Sequence, residues 1–452
     1  MPSSSILCPS IATSFTFLSL HPHKVRFPTP PNQSSFQKST ATIHYSSLHF
    51  FIYFSKRSSL PFPPQKAKHY KELEAAVDAV QRACSLCIDV KRSLFSGDGR
   101  ILEKNDRTPV TIADFGVQAL ISLELSRSFP SIPLVAEEDS GFLRSNPLNS
   151  TGDGGYSSNF LVDSVLSAII DKASAQDEPL THDIVLDAID RGGKDSLAFG
   201  VKPATYWVLD PIDGTRGFLK GNDALYVVGL ALVVDGEIAL GVMGCPNWPG
   251  DSLTIKEASG EALEAKTGTS GPGVIMVAHV GCGTWKKRLP EMLGSVNAIH
   301  DSWVRCFVDG CSLVYQACFC IPESHTWDSL PLSLFFSSTT DADGIANERE
   351  VLLLQTCCGS LCKYLMIASG RASVFIQQAR QQTVIKVWDH AVGMICVHEA
   401  GGQVTDWKGS QLDLAADQLG RRVIIPSGGV LVTNGILHQQ ILEIISSSSP
   451  VV

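Results

Sequence analysis

No Asp or Glu precedes Glu72 in this 452-residue chain, although its 45 acidic residues outnumber its 36 Lys and Arg and give a net charge of -9. The acid-free stretch is rich in Ser, Thr, Pro and Phe and carries scattered Lys and Arg. Such a composition is typical of an organellar transit peptide, although a merely disordered tail or a gene-model artefact would look similar. We therefore predict a disordered transit peptide over residues 1–69, addressed to a mitochondrion or a chloroplast.

The chain also lacks a long hydrophobic run, a regular cysteine pattern and an excess of positive charge. The apolar run at residues 48–54 is far too short to span a bilayer, so no membrane partner is expected. Thirteen cysteines at irregular spacings indicate reduced, mostly buried thiols. A nucleic-acid polymer is not an expected partner, because surfaces that follow phosphates are basic. An acidic protein can still bind a small anion through metal ions or helix N-termini.

The composition beyond the acid-free stretch is that of a globular protein, and the chain as a whole is 44% hydrophobic and 18% charged. Its length favours two packed domains. We predict an N-terminal α+β domain over residues 70–248 and a C-terminal α/β domain over residues 249–452, where short strands alternate with helices. Residues 322–349 show no clear period and are predicted to be a loop-rich insertion.

Apolar spacing gives the individual elements, since a period of three to four residues indicates a helix and a short apolar run beside turn residues indicates a strand. Helices are predicted over residues 71–94, 114–129, 160–174, 181–190, 361–369 and 389–399. Strands are predicted over residues 134–136, 206–209, 226–234, 238–243, 273–279, 302–308, 374–376 and 430–433.

One predicted strand leads into two closely spaced acids. Asp210 stands at its end, and Asp213 follows three residues later, directly before Gly214 and Thr215. Two carboxylates this close repel each other unless a cation lies between them, and magnesium prefers such oxygen ligands. The backbone N–H groups after Gly214 would face an anion. Taken alone, the segment is explained equally well without a metal ion, with Asp213-Gly214 as an ordinary turn and Asp210 as a helix cap.

Three further acids stand at the boundaries of predicted elements. Glu137 follows the strand at residues 134–136, and Asp114 and Asp389 each stand at a helix start. Singly, Glu137 would pass for a solvated strand end and the two Asp residues for helix N-caps. Together with the Asp210–Asp213 segment, they indicate an acidic cluster that several metal ions neutralise.

The motifs around these acids resemble the signatures of the inositol monophosphatase-like superfamily of lithium-sensitive phosphatases, and within it the 3'(2'),5'-bisphosphate nucleotidases. The motifs are Asp-Pro-Ile-Asp-Gly-Thr at residues 210–215, Ala-Glu-Glu at 136–138 and Trp-Asp-His-Ala at 388–391. The resemblance covers the chain from Tyr70 to its end. It implies a layered αβαβα sandwich with α+β and α/β parts and a site between two domains.

The resemblance also implies the reaction, which is hydrolysis of the 3'-phosphate of 3'-phosphoadenosine 5'-phosphate (PAP), or of its sulfated relative PAPS, in sulfur assimilation and nucleotide detoxification. The implied ligands of two or three magnesium ions are Glu137, Asp210, the Ile212 carbonyl, Asp213 and Asp389. The implied catalytic pair that orients and deprotonates water is Asp114 and Thr215. The implied substrate contacts are Gly214, Thr215, His325, Ser360, Lys363, Arg380 and Asp389.

Two positions depart from the pattern of that superfamily. Ala136 replaces the usual Gly, and Gln377 stands where a basic residue is expected, with Arg380 close enough in sequence to substitute. The alternatives are an inositol mono- or bisphosphate phosphatase, which Ser360 and Lys363 argue against, and a degenerate nucleotide-binding relative, which the intact acids argue against. The expected partner is a small phosphorylated nucleotide, bound by a monomer or a homodimer.

Overall fold

The computed structural model describes residues 60–94, 102–103, 109–145, 160–174, 179–193, 198–220, 224–249, 256–257, 273–289, 302–322, 325–337, 352–356, 359–379 and 384–448. Its helices are α1 (Tyr70–Ser93), α2 (Ile112–Ser128), α3 (Gly141–Ser145), α4 (Phe160–Ile170), α5 (His182–Asp190), α6 (Thr215–Leu219), α7 (Leu332–Ser337), α8 (Leu361–Ala368), α9 (Ala391–Glu399) and α10 (His438–Ser448). Its strands are β1 (Leu102–Glu103), β2 (Pro109–Val110), β3 (Leu134–Ala136), β4 (Tyr206–Asp213), β5 (Val227–Val234), β6 (Glu237–Cys245), β7 (Lys256–Glu257), β8 (Val274–His279), β9 (Gly283–Arg288), β10 (Val304–Arg305), β11 (Cys318–Pro322), β12 (Leu352–Thr356), β13 (Val374–Gln378), β14 (Ile385–Lys386), β15 (Gln403–Asp406), β16 (Val423–Ile424) and β17 (Gly429–Thr433).

The first large sheet has seven strands in the order β10-β9-β8-β6-β5-β4-β3. Its neighbours are antiparallel except β3 and β4, which run in parallel with Ala136 opposite Leu209. The register of β4 against β5 shifts between Asp210 and Asp213. Such a bulge re-aims side chains, and here it lies at the two acids predicted to bind metal.

The second large sheet has six strands in the order β15-β17-β13-β11-β12-β7. Strand β11 runs parallel to both β12 and β13, and the remaining pairs are antiparallel. A parallel centre is what the predicted α/β character of the C-terminal half implies.

Alternate residues of each sheet belong to different hydrophobic clusters, and this alternation defines five layers. Helices α1, α2, α4 and α5 cover one face of the first sheet, from which Leu209 points into their cluster. Helices α8 and α9 fill the space between the sheets, together with Val208 from the first and Phe375 from the second. Helices α7 and α10 frame the outer cluster of the second sheet, which contains Ile376. The predicted αβαβα sandwich is confirmed.

Two glycines of β6 let helices approach the first sheet closely from both sides. A Cβ atom on Gly244 would lie 2.3 Å from Cys84 Sγ on α1, and one on Gly241 would lie 2.8 Å from Ile395 Cγ2 on α9. Positions three residues apart on a strand face opposite sides of a sheet. The absence of side chains there is what brings α1 and α9 close to the sheet.

The folded body begins before the predicted end of the transit peptide. Leu60, Phe62 and Ala67 are buried in the cluster that holds α1, and the Phe62 ring meets the Tyr70 ring edge-on at 6.4 Å. The prediction of a disordered segment up to residue 69 is therefore wrong for residues 60–69. Residues 1–59 lie outside the described residues.

Most predicted elements lie within a few residues of those observed, and most of the exceptions are in the C-terminal half. The predicted strand at 302–308 is only Val304–Arg305, and the predicted loop at 322–349 contains α7, while residues 338–349 lie outside the described residues. The elements that were not predicted include β9, β11, β12, β15 and α10, and the short elements β1, β2, β7, β14, β16 and α3. Strands β8, β9 and β10 follow residue 249 yet pair into the first sheet. The division into domains at residue 249 stays a prediction.

No helix among the described residues is long and apolar enough to cross a bilayer. The cysteines of the described ranges are free thiols, and all of them except Cys282 and Cys311 are buried. For these residues the prediction of reduced, mostly buried thiols agrees with the structure.

Candidate metal centre and active site

Acids from separate motifs meet at the end of β4. Asp210, Asp213 and Asp389 each place a carboxylate oxygen within 4.8 Å of the others. Glu137 directly follows β3, which pairs with β4 in parallel up to the residue before Asp210. The acids at the ends of these two paired strands are therefore neighbours, and the segment before α9 brings Asp389 to them.

Burial and mutual repulsion act on this cluster together. Burial, followed by the charges of Glu137, Asp213 and Asp389, raises the pKa of Asp210 well above its usual 3.8. Burial, followed by the charges of Asp213 and Glu137, likewise raises the pKa of Asp389. Both effects disfavour the ionised carboxylate, so the cluster needs a compensating positive charge to be fully ionised at neutral pH.

The chain segment that begins α8 holds Asp213 in place. The backbone N–H groups of Ser360 and Leu361 donate to its two carboxylate oxygens at 2.9 and 2.7 Å. Burial raises the pKa of Asp213 to about 6, while these N–H groups and the charge of Lys363 act in the opposite direction. Gly359 has φ of 70°, and a Cβ atom there would lie 2.3 Å from Asp213 Oδ2, so a side chain cannot be accommodated.

The donor atoms of the cluster fit a divalent cation. Asp210 Oδ1 is buried and has no hydrogen-bond partner among the described residues. Buried polar atoms are nearly always bonded, so an unpartnered carboxylate oxygen among other carboxylates indicates a cation. Because the group offers only oxygen ligands, a hard ion such as Mg²⁺ suits it best.

Asp114 and Thr215, predicted to activate water, are in contact. Thr215 Oγ1 lies 3.2 Å from Asp114 Oδ1 and 3.2 Å from the Ile212 carbonyl oxygen. Asp114 Oδ2 accepts from the N–H and the hydroxyl of Thr111, both at 2.7 Å, which forms a capping box at the start of α2. Asp114 thus takes part in helix capping with one oxygen and turns the other towards Thr215.

The helix-cap explanation fails for Asp389. The N-cap of α9 is His390, and no side-chain hydrogen bond caps that helix. The His390 ring instead lies 2.8 Å from the Tyr364 hydroxyl, and burial lowers the pKa of His390 to about 3. A neutral His390 links α9 to α8, which leaves Asp389 to the acidic cluster.

Gln118 fixes the turn after Glu137, and the sequence analysis missed it. Its buried side-chain oxygen accepts from the Glu138 N–H at 2.9 Å, and its NH₂ group donates to the Glu138 and Ile189 carbonyls at 2.6 and 2.8 Å. The residue lies within a helix that is buried nearly all round, so no polar pattern in the sequence marks it.

Ser360 and Lys363, predicted to contact the nucleotide, lie beside Asp213 at the start of α8. Ser360 is the N-cap residue of that helix. Lys363 is only 1% exposed, and its ammonium donates to the Gly359 carbonyl and lies 5.8 Å from the centre of the Phe375 ring. An ammonium has three N–H donors, so a contact with a substrate would use donors other than the one that Gly359 accepts.

The other predicted nucleotide contacts are less closely tied to the acidic cluster. His325 lies in the loop after β11, where its N–H donates to the Pro322 carbonyl at 2.9 Å. Gln377 lies in β13, and its buried Oε1 has no partner within the described ranges. Arg380 lies outside the described residues. Nucleotide contacts by His325 and Arg380 stay predictions.

Residues 69–273 and 304–449 match the family described as "Inositol monophosphatase family". The chain therefore belongs to this family of phosphoric monoester hydrolases. The extragenic suppressor protein suhB of Bartonella henselae has a related structure, with a TM-score of 0.48 and 16% identity over 83% of this chain and 98% of that protein.

Curated relatives narrow the resemblance within the family. The "Putative 3'(2'),5'-bisphosphate nucleotidase, mitochondrial" of Arabidopsis thaliana is 61% identical over 398 residues, which cover 88% of this chain and 92% of the relative. The "3',5'-bisphosphate nucleotidase AHL" of Arabidopsis thaliana is 34% identical over 387 residues, or 83% and 96% of the two chains. The "3'(2'),5'-bisphosphate nucleotidase 1" of Candida albicans is 32% identical over 398 residues, or 84% and 98%. The resemblance to 3'(2'),5'-bisphosphate nucleotidases is confirmed.

Replacing one acid of the cluster should stabilise the metal-free protein. An Asp whose pKa is raised by folding destabilises the folded state increasingly as pH rises from its unfolded value through its folded value. In EDTA, Asp210→Asn should therefore unfold at a higher temperature than wild type, and this difference in unfolding temperature should be small near pH ~4 and larger at neutral pH. Differential scanning calorimetry across this range measures the difference.

The matched control is Asp171→Asn. It makes the same chemical change at an exposed residue that directly follows α4. Its effect on the unfolding temperature should be small, as for most substitutions at exposed sites. Adding Mg²⁺ should stabilise the wild type and the control but not Asp210→Asn, because a ligand stabilises only the state that binds it. A wild type that Mg²⁺ fails to stabilise would contradict the metal assignment.

Proposed function

We propose that this chain hydrolyses the 3'-phosphate of PAP, or of PAPS, to leave the 5'-nucleotide and inorganic phosphate, with Mg²⁺ as cofactor. The observation that carries the proposal is the meeting of Asp210, Asp213 and Asp389 next to the contact between Asp114 and Thr215. The names of the relatives support a bisphosphorylated nucleotide as substrate. Such a reaction would serve sulfur assimilation and the removal of an inhibitory nucleotide.

The proposed metal ligands divide into two overlapping sets. Glu137, Asp210 and the Ile212 carbonyl would hold one ion, and Asp210, Asp213 and Asp389 a second, with a third, weaker ion near Asp114. When bound, the ions would lower the pKa of the attacking water and neutralise charge on the phosphoryl and leaving oxygens.

The protein itself would orient the water and accept its proton. Thr111 occupies one oxygen of Asp114, so the other is directed at the Thr215 hydroxyl. As Thr215 donates to this carboxylate, its own lone pairs can accept a hydrogen bond from water. Asp114 then receives the proton through Thr215, which is general-base catalysis in two short steps.

The substrate would lie across the start of two helices. The backbone at Gly214 and Thr215 would bind the scissile phosphate, because the first N–H groups of a helix have no partner within it. Asp389, as a member of the acidic cluster, would also face the substrate. Ser360, Lys363, His325 and Arg380 would contact the rest of the nucleotide.

Removing the Thr215 hydroxyl should abolish most of the activity without changing the shape of the site. Phosphate release from PAP in Mg²⁺ should fall by roughly 10²- to 10⁴-fold in Thr215→Val, the usual contribution of general acid–base catalysis. Thr215→Ser keeps the hydroxyl and is the matched control, which should retain most of the rate.

The same assay separates the alternatives when wild type is also given inositol monophosphate and fructose bisphosphate. PAP should be the preferred substrate by kcat/KM. Faster hydrolysis of inositol monophosphate would instead identify an inositol phosphatase. No phosphate release from any of the three would identify a degenerate nucleotide-binding protein.

The proposed contact of Lys363 with the 5'-phosphate predicts a difference between substrates. Loss of a charge-assisted hydrogen bond is worth about 1.5–3 kcal/mol, so Lys363→Met should raise the KM for PAP roughly 10- to 100-fold. The KM for 3'-AMP, which lacks the 5'-phosphate, should change little. Steady-state kinetics on both substrates measure this. An equal fall of kcat on both would mean that Lys363 acts only through Gly359 and Asp213.

Two observations support the proposal that the protein is located in an organelle, either a mitochondrion or a chloroplast. The acid-free segment before Glu72 has the composition of a transit peptide. The Arabidopsis relative at 61% identity carries "mitochondrial" in its name.

The burial of Leu60 and Phe62 limits where such a segment can be removed. After import of the full chain into isolated mitochondria or chloroplasts, N-terminal sequencing should find a mature start at or before Leu60, because cleavage at Tyr70 would delete core contacts. A chain without residues 1–59 is the control and should not be imported. Import of that control, or a mature start at Tyr70, would contradict the prediction.

A further inference from the structure

Arg422 binds the backbone on both sides of the strand end that carries Glu137. Its Nη2 donates to the Ala136 carbonyl at 2.6 Å and lies 3.4 Å from the Glu137 carbonyl, and its Nη1 donates to the Gly192 carbonyl at 3.1 Å. Gly192 in turn accepts the Ala136 N–H at 2.9 Å. The guanidinium therefore joins the end of β3 to the loop after α5.

The same arginine also contacts the segment that carries Asp389. Its carbonyl accepts the Val387 N–H at 2.9 Å, directly beyond the pairing of β14 with β16. Its guanidinium carbon lies 4.8 Å from the centre of the Trp388 ring, one residue before Asp389. Trp388 is 4% exposed, so this contact is part of the packed interior.

Arg422 thus spans the gap between two acids that are distant in sequence and reach the cluster on different elements. Glu137 is delivered by β3 of the first sheet, and Asp389 by the loop before α9 in the middle layer. We infer that Arg422 is a positioning residue that sets Glu137 at the correct distance from Asp389, so that both can face the same group of cations. This inference rests on the proposed metal site.

The contacts with carbonyl oxygens indicate that Arg422 acts through geometry. The three hydrogen bonds of the side chain described above end on carbonyl oxygens, which a flat guanidinium can join in a fixed arrangement. Lysine retains the charge but has no such planar fork. A positive charge near the cluster would by itself weaken cation binding, so an effect of charge has the opposite sign to an effect of position.

The test compares the lysine and methionine variants of Arg422 in direct metal binding. Isothermal titration calorimetry with Mn²⁺ as the probe ion reports affinity without reference to catalysis. Residues that orient metal ligands typically contribute 10- to 100-fold to metal affinity or activity, so both Arg422→Lys and Arg422→Met should weaken Mn²⁺ binding by about this factor. Activity of Arg422→Lys on PAP should recover at saturating Mg²⁺.

Arg305 provides a matched control at the opposite edge of the first sheet. It also joins two carbonyls, those of Cys282 at 2.6 Å and Glu399 at 3.4 Å, and its guanidinium lies 5.3 Å from the centre of the Trp285 ring. Arg305→Met should lower the unfolding temperature about as much as Arg422→Met, because each loses the same kinds of contact. Its Mn²⁺ affinity should remain that of wild type.

The possible outcomes separate the inference from the function on which it rests. A wild type that binds no Mn²⁺ would reject the proposed metal site itself. Normal binding by wild type and by both Arg422 variants would reject the positioning role alone. Tighter binding by Arg422→Met with unchanged binding by Arg422→Lys would show an effect of charge and would likewise overturn the inference. If Arg422→Met does not fold, Arg422→Lys decides between loss and retention of affinity.

Discussion

Three carboxylates that lie within 4.8 Å of one another, two of them buried and that of Asp389 half-buried, are the constraint on which the rest of this structure depends. Each charge disfavours ionisation of its neighbours, and removal from water adds to that effect. The polypeptide holds Asp210, Asp213 and Asp389 together in spite of this repulsion, and the folded core supplies the free energy that opposes it. A divalent cation would relieve the repulsion, so affinity for such an ion would have the same origin as the strain in the protein without it.

Residues outside the acidic cluster keep the acids in place. The backbone at Ser360 and Leu361 holds Asp213, and Gly359 makes room for this approach because it has no side chain. Gln118 fixes the turn after Glu137. These contacts restrain the acids from the protein side, in the way that outer contacts restrain the ligands of metal sites in general.

The five-layer arrangement explains why such distant segments converge. Helices α8 and α9 lie between the two sheets and are packed from both sides. The start of α8 and the segment before α9 are thereby fixed against the end of β4, where the strand bulges at Asp210 and Asp213. Asp213 and Ser360 are 147 residues apart in sequence, yet they share a hydrogen bond of 2.9 Å. Movement of the middle layer would therefore separate the acids.

The sequence by itself determined the parts of the site that depend on local chemistry. The spacing of Asp210 and Asp213 after an apolar strand predicted an acidic cluster at the end of β4, and the Thr111-Ile112-Ala113-Asp114 segment forms the capping box that orients Asp114. Helical and strand periods likewise located most elements, because each period reflects which side of one element is buried.

Only the tertiary structure decided which distant groups meet. The hold of Arg422 on Ala136 joins residues 286 positions apart, and the burial of Lys363 against Gly359 depends on how α8 is covered from both sides. The composition of residues 1–69 predicted a transit peptide and gave no indication that Phe62 packs against Tyr70. A local pattern records the environment of one element, whereas these contacts depend on how several elements are arranged, and that arrangement exists only in the folded chain.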